Sequence, residues 1–485
     1  MNTALRPLVA VALSVLVHHA QAQPQERASP NFIFIVADDL GWTSLSFSMD
    51  DRFPDAKSRY HTTPHLAELA EQSTRFSNAY AASPVCSPTR YSILLGQTPA
   101  RLGKTIVRGP SRIDLEQPGL PDVLKSIDDR YMCAHLGKWH IDADPESFGY
   151  DISDGRTTNR EGGFTSSGPD RRTREWGGYP AEDPKLSASL TTRAIEFLDD
   201  RATRSEPFFL QLSYYAVHSD IVYTERSFQN ALERPEEPNH SNAGFSAMLT
   251  DFDNEIGRLL SALHRHGLHE NTYIFFFSDN GGVPSIPPEV MRGRPHQNGF
   301  NAPLRRGKWD LTEGGIRIPF LVTGPAVVAG AQCDVPVSTI DLLPTLADLA
   351  GNPAAIPAST DGGSLAPLLS DSSMRGVTRP HGDTLVFHFP HWNMMGLGEP
   401  HSAVRSGRYK LIRFPVLNRS LLFDLHTDIG EQNDLSSELP DVASELEHLL
   451  EQYLLHVAAE KPLDSFTRDI ADDGQARTRF LDEFD

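Results

Sequence analysis

Cysteine is scarce in this chain: 485 residues contain three, Cys86, Cys133 and Cys333. So few cannot staple a small disulfide framework. Positive charge is also short. Lys and Arg number 44 against 64 Asp and Glu, a formal net charge of −20. That field opposes nucleic-acid binding, which depends on Lys and Arg against phosphate. It also repels anionic ligands from the surface as a whole, so an anion site has to be built locally from a few cations. After the first residues no apolar run is long enough to span a bilayer, and no repeat or heptad recurs.

What is present reads as globular: 39% hydrophobic and 22% charged residues. The length allows one large domain with a full core and a smaller one. Arg6, the apolar run Leu8 to Val17 and the small residues Ala20-Gln21-Ala22 read as a signal peptide over residues 1–22. An N-terminal anchor is the alternative, but no stop-transfer pattern follows. Cleavage places the protein in the periplasm or outside the cell, off the membrane, with its balance at −21 after Arg6 is lost.

Phe32 to Ala37, Phe208 to Tyr214, Tyr273 to Ser278 and Ile318 to Thr323 read as buried strands. Helices lie between them. Thr63-Pro64 opens one, and Phe245 to His266 has helical spacing of Phe, Met, Leu and Ile until Gly267 ends it. The expected fold is therefore α/β: a large, mostly parallel sheet flanked by helices on both faces, over residues 23–367. The texture then changes. Leu385 to Pro390, Ser402 to Pro415 and Leu421 to Leu425 read as strands, and Pro440 to Val457 as one amphipathic helix. That predicts a smaller C-terminal antiparallel-sheet subdomain with one helix over 368–463, then a charged tail over 464–485. Asp151 to Pro184 has no period and carries Arg156, Arg160, Arg171, Arg172 and Arg174; a loop of that length is usually functional or disordered.

Two strand predictions end in oxygen donors: Asp38-Asp39 and Asp279-Asn280. In parallel sheets, sites gather beyond the carboxyl ends of strands. Four hard oxygens without His or Cys among them suit calcium or magnesium over zinc. Either pair alone would more often be a cap or turn. Cys133, among apolar neighbours, reads as core. Cys333 sits among loop residues; two separate thiols are expected, with a bridge as the alternative. Cys86-Ser87-Pro88-Thr89-Arg90 differs. Pro88 favours a helix start, where N–H groups hold anions, and Arg90 lies one turn on.

Cys-x-Pro-x-Arg before a helix ending in Gly resembles the formylglycine-dependent sulfatases of the alkaline-phosphatase-like superfamily. Further runs match in order: Gly137-Lys138-Trp139-His140, Ala216-Val217-His218, Gly307-Lys308 through Glu313-Gly314-Gly315-Ile316-Arg317-Ile318-Pro319, and Ser338 to Thr345. The similarity covers roughly residues 30 to 460. Val217 departs where Pro is usual, Asp142 where Gly is, and Leu95 where Thr is.

The resemblance implies that a formylglycine-generating enzyme oxidises Cys86 during export, and that the aldehyde hydrate attacks sulfur. It implies one Ca²⁺ held by Asp38, Asp39, Cys86, Asp279 and Asn280. Arg90 and Lys138 would steady the hydrate and His140 would assist its deprotonation. His218 and Lys308 would contact sulfate, one helping to protonate the leaving oxygen. Glu313 and Arg317, one turn apart, read instead as a structural ion pair. Phe387-His388-Phe389-Pro390-His391-Trp392 resembles a segment of bacterial polysaccharide sulfatases, so His388, His391 and Trp392 are candidate sugar contacts and a sulfated carbohydrate the expected substrate. Two alternatives stand: a phosphodiesterase or phosphonate hydrolase of the same superfamily, or an unmodified glycan-binding relative.

Overall fold

A computed structural model describes residues 28–109, 111–162, 179–284, 300–371, 375–392, 398–462 and 484. The expected signal peptide, most of the charged tail, and Arg171, Arg172 and Arg174 lie outside the described residues.

The large sheet has eight strands: β1 (Asn31–Ala37), β2 (Thr74–Phe76), β3 (Met132–Gly137), β4 (Ile152–Ser153), β5 (Phe208–Ser213), β6 (Thr272–Ser278), β7 (Phe320–Thr323) and β8 (Gln332–Cys333). Their order is β8-β2-β7-β6-β1-β5-β3-β4. β1 is central, parallel to β5 and β6, and fully buried. Its alternate residues serve two cores. Ile33 and Ile35 pack with α1 (Pro64–Glu71), α3 (Ser187–Arg201) and α4 (Ala243–Arg265). Phe32, Phe34 and Val36 pack with α2 (Cys86–Leu95) and α5 (Leu342–Leu349). Burial on both faces explains why these strands read as continuous apolar runs.

β7 is a strand as expected, yet it runs antiparallel, pairing Phe320 with Phe277. The chain leaves β6 at its carboxyl end, forms the segment bearing Lys308 there, and returns from that same end. It therefore has to run backwards. The three thiols are all free and buried, so Cys133 and Cys333 are separate.

The second sheet is a four-stranded antiparallel meander: β9 (Thr384–Phe389), β10 (His401–Ser406), β11 (Tyr409–Phe414) and β12 (Arg419–Asp424). The expected strand Ser402 to Pro415 is two strands, because Gly407, at φ 55°, turns the chain between them. One face packs Val404, Leu411 and Leu422 against α6 (Pro440–His456). The other packs Ala403, Ile412 and Phe423 against Tyr80, Val85, Leu311 and Ile316. Val85 immediately precedes Cys86, and Leu311 follows Lys308, so this sheet braces both.

A buried ion network seals that contact. Glu313 meets Arg317 at 2.7 Å and Lys410 at 2.8 Å. Lys410 also meets Glu431 at 2.8 Å, and the Tyr80 hydroxyl donates to Glu313 at 2.9 Å. Burial opposes the Glu313 carboxylate, but Lys410, Arg317 and Arg405 together hold it below its ordinary range. The sequence reading of Glu313 and Arg317 as a structural pair matches this geometry.

Candidate active site

The register of β1 beside β6 aligns Ala37 with Ser278, so Asp38-Asp39 and Asp279-Asn280 emerge side by side. Asp39, at φ 61°, turns sharply; its N–H donates to Asp279 Oδ1 at 3.2 Å. Asn280 Nδ2 donates to Asp39 Oδ1 at 2.8 Å. Only glycine fits next: a Cβ on Gly281 would lie 2.0 Å from the Gly314 carbonyl oxygen.

Cys86 opens α2, as Pro88 suggested, and Gly96 closes it at φ 65°. The Cys86 Sγ lies 3.4 Å from Lys308 Nζ and 3.9 Å from Asp39 Oδ1. Arg90 Nε, one turn on, donates to Asp279 Oδ2 at 2.9 Å, and its Nη1 donates to the Lys138 carbonyl. Lys138 follows Gly137, whose φ of 95° turns the chain at the end of β3. Lys138 Nζ meets Asp38 Oδ2 at 2.5 Å, and Lys308 Nζ meets both Asp39 oxygens at 2.7 Å. His218 Nε2 stands 3.7 Å from Asp39 Oδ2 and 3.4 Å from Asn159 Nδ2. His140 is half-buried at φ 57°, and its Nδ1 has no hydrogen-bond partner among the described residues. Nine residues of the expected site thus touch in one constellation at the carboxyl edge of the sheet, and His140 stands two residues after Lys138.

Burial sets the electrostatics. It pushes Asp38 up to about 7 despite Lys138. Asp39 goes the other way: burial opposes its charge, but Lys308 above all holds it well below the carboxylate range. Burial pushes Cys86 up to about 12, so as a thiol it is protonated and inert at neutral pH. His218 and His140 are pushed well below the ordinary imidazole value, by burial first and by neighbouring lysines next. Both are therefore uncharged at neutral pH.

The site suits a cation. Asp38 Oδ1 and Asn280 Oδ1 are buried without hydrogen-bond partners among the described residues. Such orphaned oxygens are costly unless something fills them. Ligand atoms of Asp38, Asp39, Cys86 and His218 lie within 4.8 Å of one another. Two points differ from the expected ligand set. His218 joins this cluster, and both Asp279 oxygens are turned to the Asp39 amide and to Arg90.

The expected sugar contacts are placed differently from one another. His388 is 6% exposed; its Nδ1 bonds Ser402 Oγ at 2.7 Å and its Nε2 the Glu460 carbonyl at 2.8 Å. Its nitrogens are thus spent on the fold, because the residue points inward from β9. His391 bonds Thr105 Oγ1 at 2.6 Å. Trp392 is buried, 7% exposed. Two residues near the site were not singled out in the sequence. Asn159 reaches His218 from the long aperiodic loop, and Lys185 is buried at the end of that loop. Neither carries a local signal, since both follow from loop geometry.

An α/β sheet whose carboxyl edge gathers carboxylates, lysines and a helix start suits the binding of an anionic ester. The sulfatase family model matches residues 30–352, and the model for the C-terminal part of N-sulphoglucosamine sulphohydrolase matches residues 307–459. The chain belongs to the sulfatase family and is a sulfuric ester hydrolase. It is 31% identical to bovine (Bos taurus) arylsulfatase A, over 86% of this chain and 85% of that protein. It is 28% identical to mouse (Mus musculus) N-acetylgalactosamine-6-sulfatase, over 79% and 74% respectively. Among solved structures, Ps i-CgsB in complex with k-i-k-neocarrahexaose superposes with a TM-score of 0.70 at 24% identity, covering 94% of this chain and 99% of that one. That last similarity concerns the fold alone. Family membership implies a formylglycine and a metal ion. Among the described residues no helix is long and apolar enough to cross a membrane.

Proposed function

We propose that this enzyme removes sulfate from a sulfated carbohydrate, with Cys86 converted to formylglycine and Ca²⁺ at the acidic strand ends. The observation that carries the reading is the convergence on Cys86 of Lys308 and Asp39 at the start of α2. Formylglycine, as its hydrate, would supply a hydroxyl nucleophile to sulfur and a second hydroxyl through which sulfate is released. Asp38, Asp39, Asp279, Asn280 and residue 86 would hold the ion. The hard oxygens favour Ca²⁺, and its charge would offset the negative charge that builds on the departing oxygen.

The chain's own groups fit their roles. Arg90, pinned by Asp279 and the Lys138 carbonyl, presents fixed positive charge beside residue 86. Lys138 and Lys308 add more where the bulk charge is unfavourable. Neutral His140 accepts a proton from the nucleophile side. His218 and Lys308 face the sulfate, and the Lys308 ammonium, held charged by Asp39 against its burial, can protonate the leaving oxygen. The carbohydrate class is supported by the relatives' names, N-acetylgalactosamine-6-sulfatase among them. His391 and Trp392 remain the candidate sugar contacts at the end of β9, and the expected signal peptide would carry the chain to the periplasm or beyond.

Side-by-side turnover of 4-nitrophenyl sulfate and 4-nitrophenyl phosphate tests the reaction. Sulfate is expected to be favoured by orders of magnitude; a phosphate preference would sink the reading. Chelation with EGTA is expected to remove at least about 90% of activity, since a bound cation supplies several kcal/mol to such reactions. Added Ca²⁺ restores it and raises Tm by mass action. Restoration by Zn²⁺ but not Ca²⁺ would refute the assigned ion.

A further inference from the structure

We propose that Lys185 is a further substrate-facing cation of this site, one that binds the sulfate group beside His218. Five lysines are buried among the described residues: Lys104, Lys138, Lys185, Lys308 and Lys410. Four have carboxylate partners, namely Asp142, Asp38, Asp39 and the Glu313–Glu431 pair. Lys185 is 4% exposed, yet among the described residues no carboxylate lies within ion-pair distance and no hydrogen bond engages its ammonium.

Ala181 N–H donates to the Tyr223 carbonyl at 2.8 Å, and Tyr179 and Pro180 pair with Val222 and Tyr223, so the segment leading into Lys185 runs beside the one that follows His218. Asp220, two residues after His218, favours its charge, as do Asp38 and Asp39, while Lys138 opposes it. Of these, Asp38, Asp39 and Lys138 belong to the catalytic constellation. Burial outweighs their attraction and pulls the amine down to about 8. The backbone fixes this placement. Lys185 and Leu186 stand in succession at φ 57° and 54°, a left-handed pair that non-glycine residues adopt only when the surrounding fold holds them. They lie directly before α3, whose packing on the sheet anchors them.

A buried ammonium without a counter-ion is costly, and an anion arriving in the cavity supplies what it lacks. The substrate's sulfate group carries one negative charge and presents oxygens in several directions. Lys138 and Lys308 are each occupied by an aspartate, whereas Lys185 is unengaged and available to bind ligand. It therefore contributes to holding sulfate in the ground state as well as the transition state, which lowers KM more than it raises kcat.

This inference rests on the sulfatase reading, and its test separates the two. Wild type, Lys185→Met and Lys185→Arg are produced with the maturation enzyme, and conversion of Cys86 and Tm are measured for each. Kinetics use 4-nitrophenyl sulfate, whose only anionic group is the one cleaved, and a disulfated monosaccharide. Lys185→Met is expected to raise KM for the aryl sulfate, and the inhibition constant of inorganic sulfate, by about tenfold, with kcat within about threefold. Lys185→Arg recovers part of the loss. Unchanged KM and sulfate inhibition in Lys185→Met would overturn the proposal, as would a loss that follows Tm or Cys86 conversion. A KM effect confined to the disulfated sugar would also overturn it, since Lys185 would then be reading a neighbouring anion. Absence of sulfate release by wild type would instead defeat the proposed function itself.

Discussion

Cys86→Ala lowers sulfate release by on the order of 10⁵-fold, as removal of a covalent nucleophile does elsewhere. Cys133→Ala and Cys333→Ala leave turnover within about threefold of wild type, because neither thiol lies in the constellation. The contrast matters because all three cysteines are buried and all three resist ionisation through burial, Cys86 up to about 12 and Cys333 up to about 11. Acidity therefore does not distinguish them. Position does: only Cys86 begins a helix beside Lys308 and the acidic strand ends. Wild type produced without the maturation enzyme is expected to be as inactive as Cys86→Ala, with an intact thiol in the peptide mass spectrum. Full activity in a protein whose Cys86 remains a thiol would refute the assigned nucleophile.

Lys410→Met is the largest expected stability effect. The substitution keeps an apolar stem but removes the cation shared by Glu313 and Glu431, which are both wholly buried. Breaking a buried pair in this way costs about 3–5 kcal/mol. The loss depends on pH. Glu431 already has its carboxyl raised, by burial first and by Glu313, with Lys410 the main group lowering it. Without Lys410 its folded pKa rises further above the unfolded value. A raised carboxyl pKa favours the folded state at low pH and loses that advantage as pH rises. The deficit of the variant should therefore grow from pH 5 to pH 8 in denaturant titrations. Adding Glu431→Gln should return part of the stability. A deficit below about 1 kcal/mol, or one independent of pH, would show that the network is not ionised as described.

The sequence disclosed what depends on local pattern. β1, β5 and β6 are buried on both faces, so their apolar runs stood out, and the carboxylates at the ends of β1 and β6 followed directly. The start of α2 at Cys86 was legible because Pro88 and Gly96 punctuate it. Features set by long-range return of the chain were not legible. The reversed direction of β7 follows from where the Lys308 segment re-enters the sheet. Gly407 hid a hairpin inside what read as one strand. His388 was a candidate sugar contact because its run resembles a segment of polysaccharide sulfatases, and such a resemblance does not say which face of the strand a side chain takes; it bonds Ser402 and the Glu460 carbonyl. Lys185 gave no signal, since a lone lysine in an aperiodic loop reads as solvated.

Cys86 retains 1% of its surface in the folded protein, with Lys308 and Asp39 against its sulfur and Val85 locked under the second sheet. The maturation enzyme proposed to oxidise Cys86 would need far more access than that. Under that proposal, conversion would have to come before the two sheets close on one another. A molecule that folded first would keep its thiol, and the specific activity of a preparation would then record a race between maturation and folding, decided once per chain.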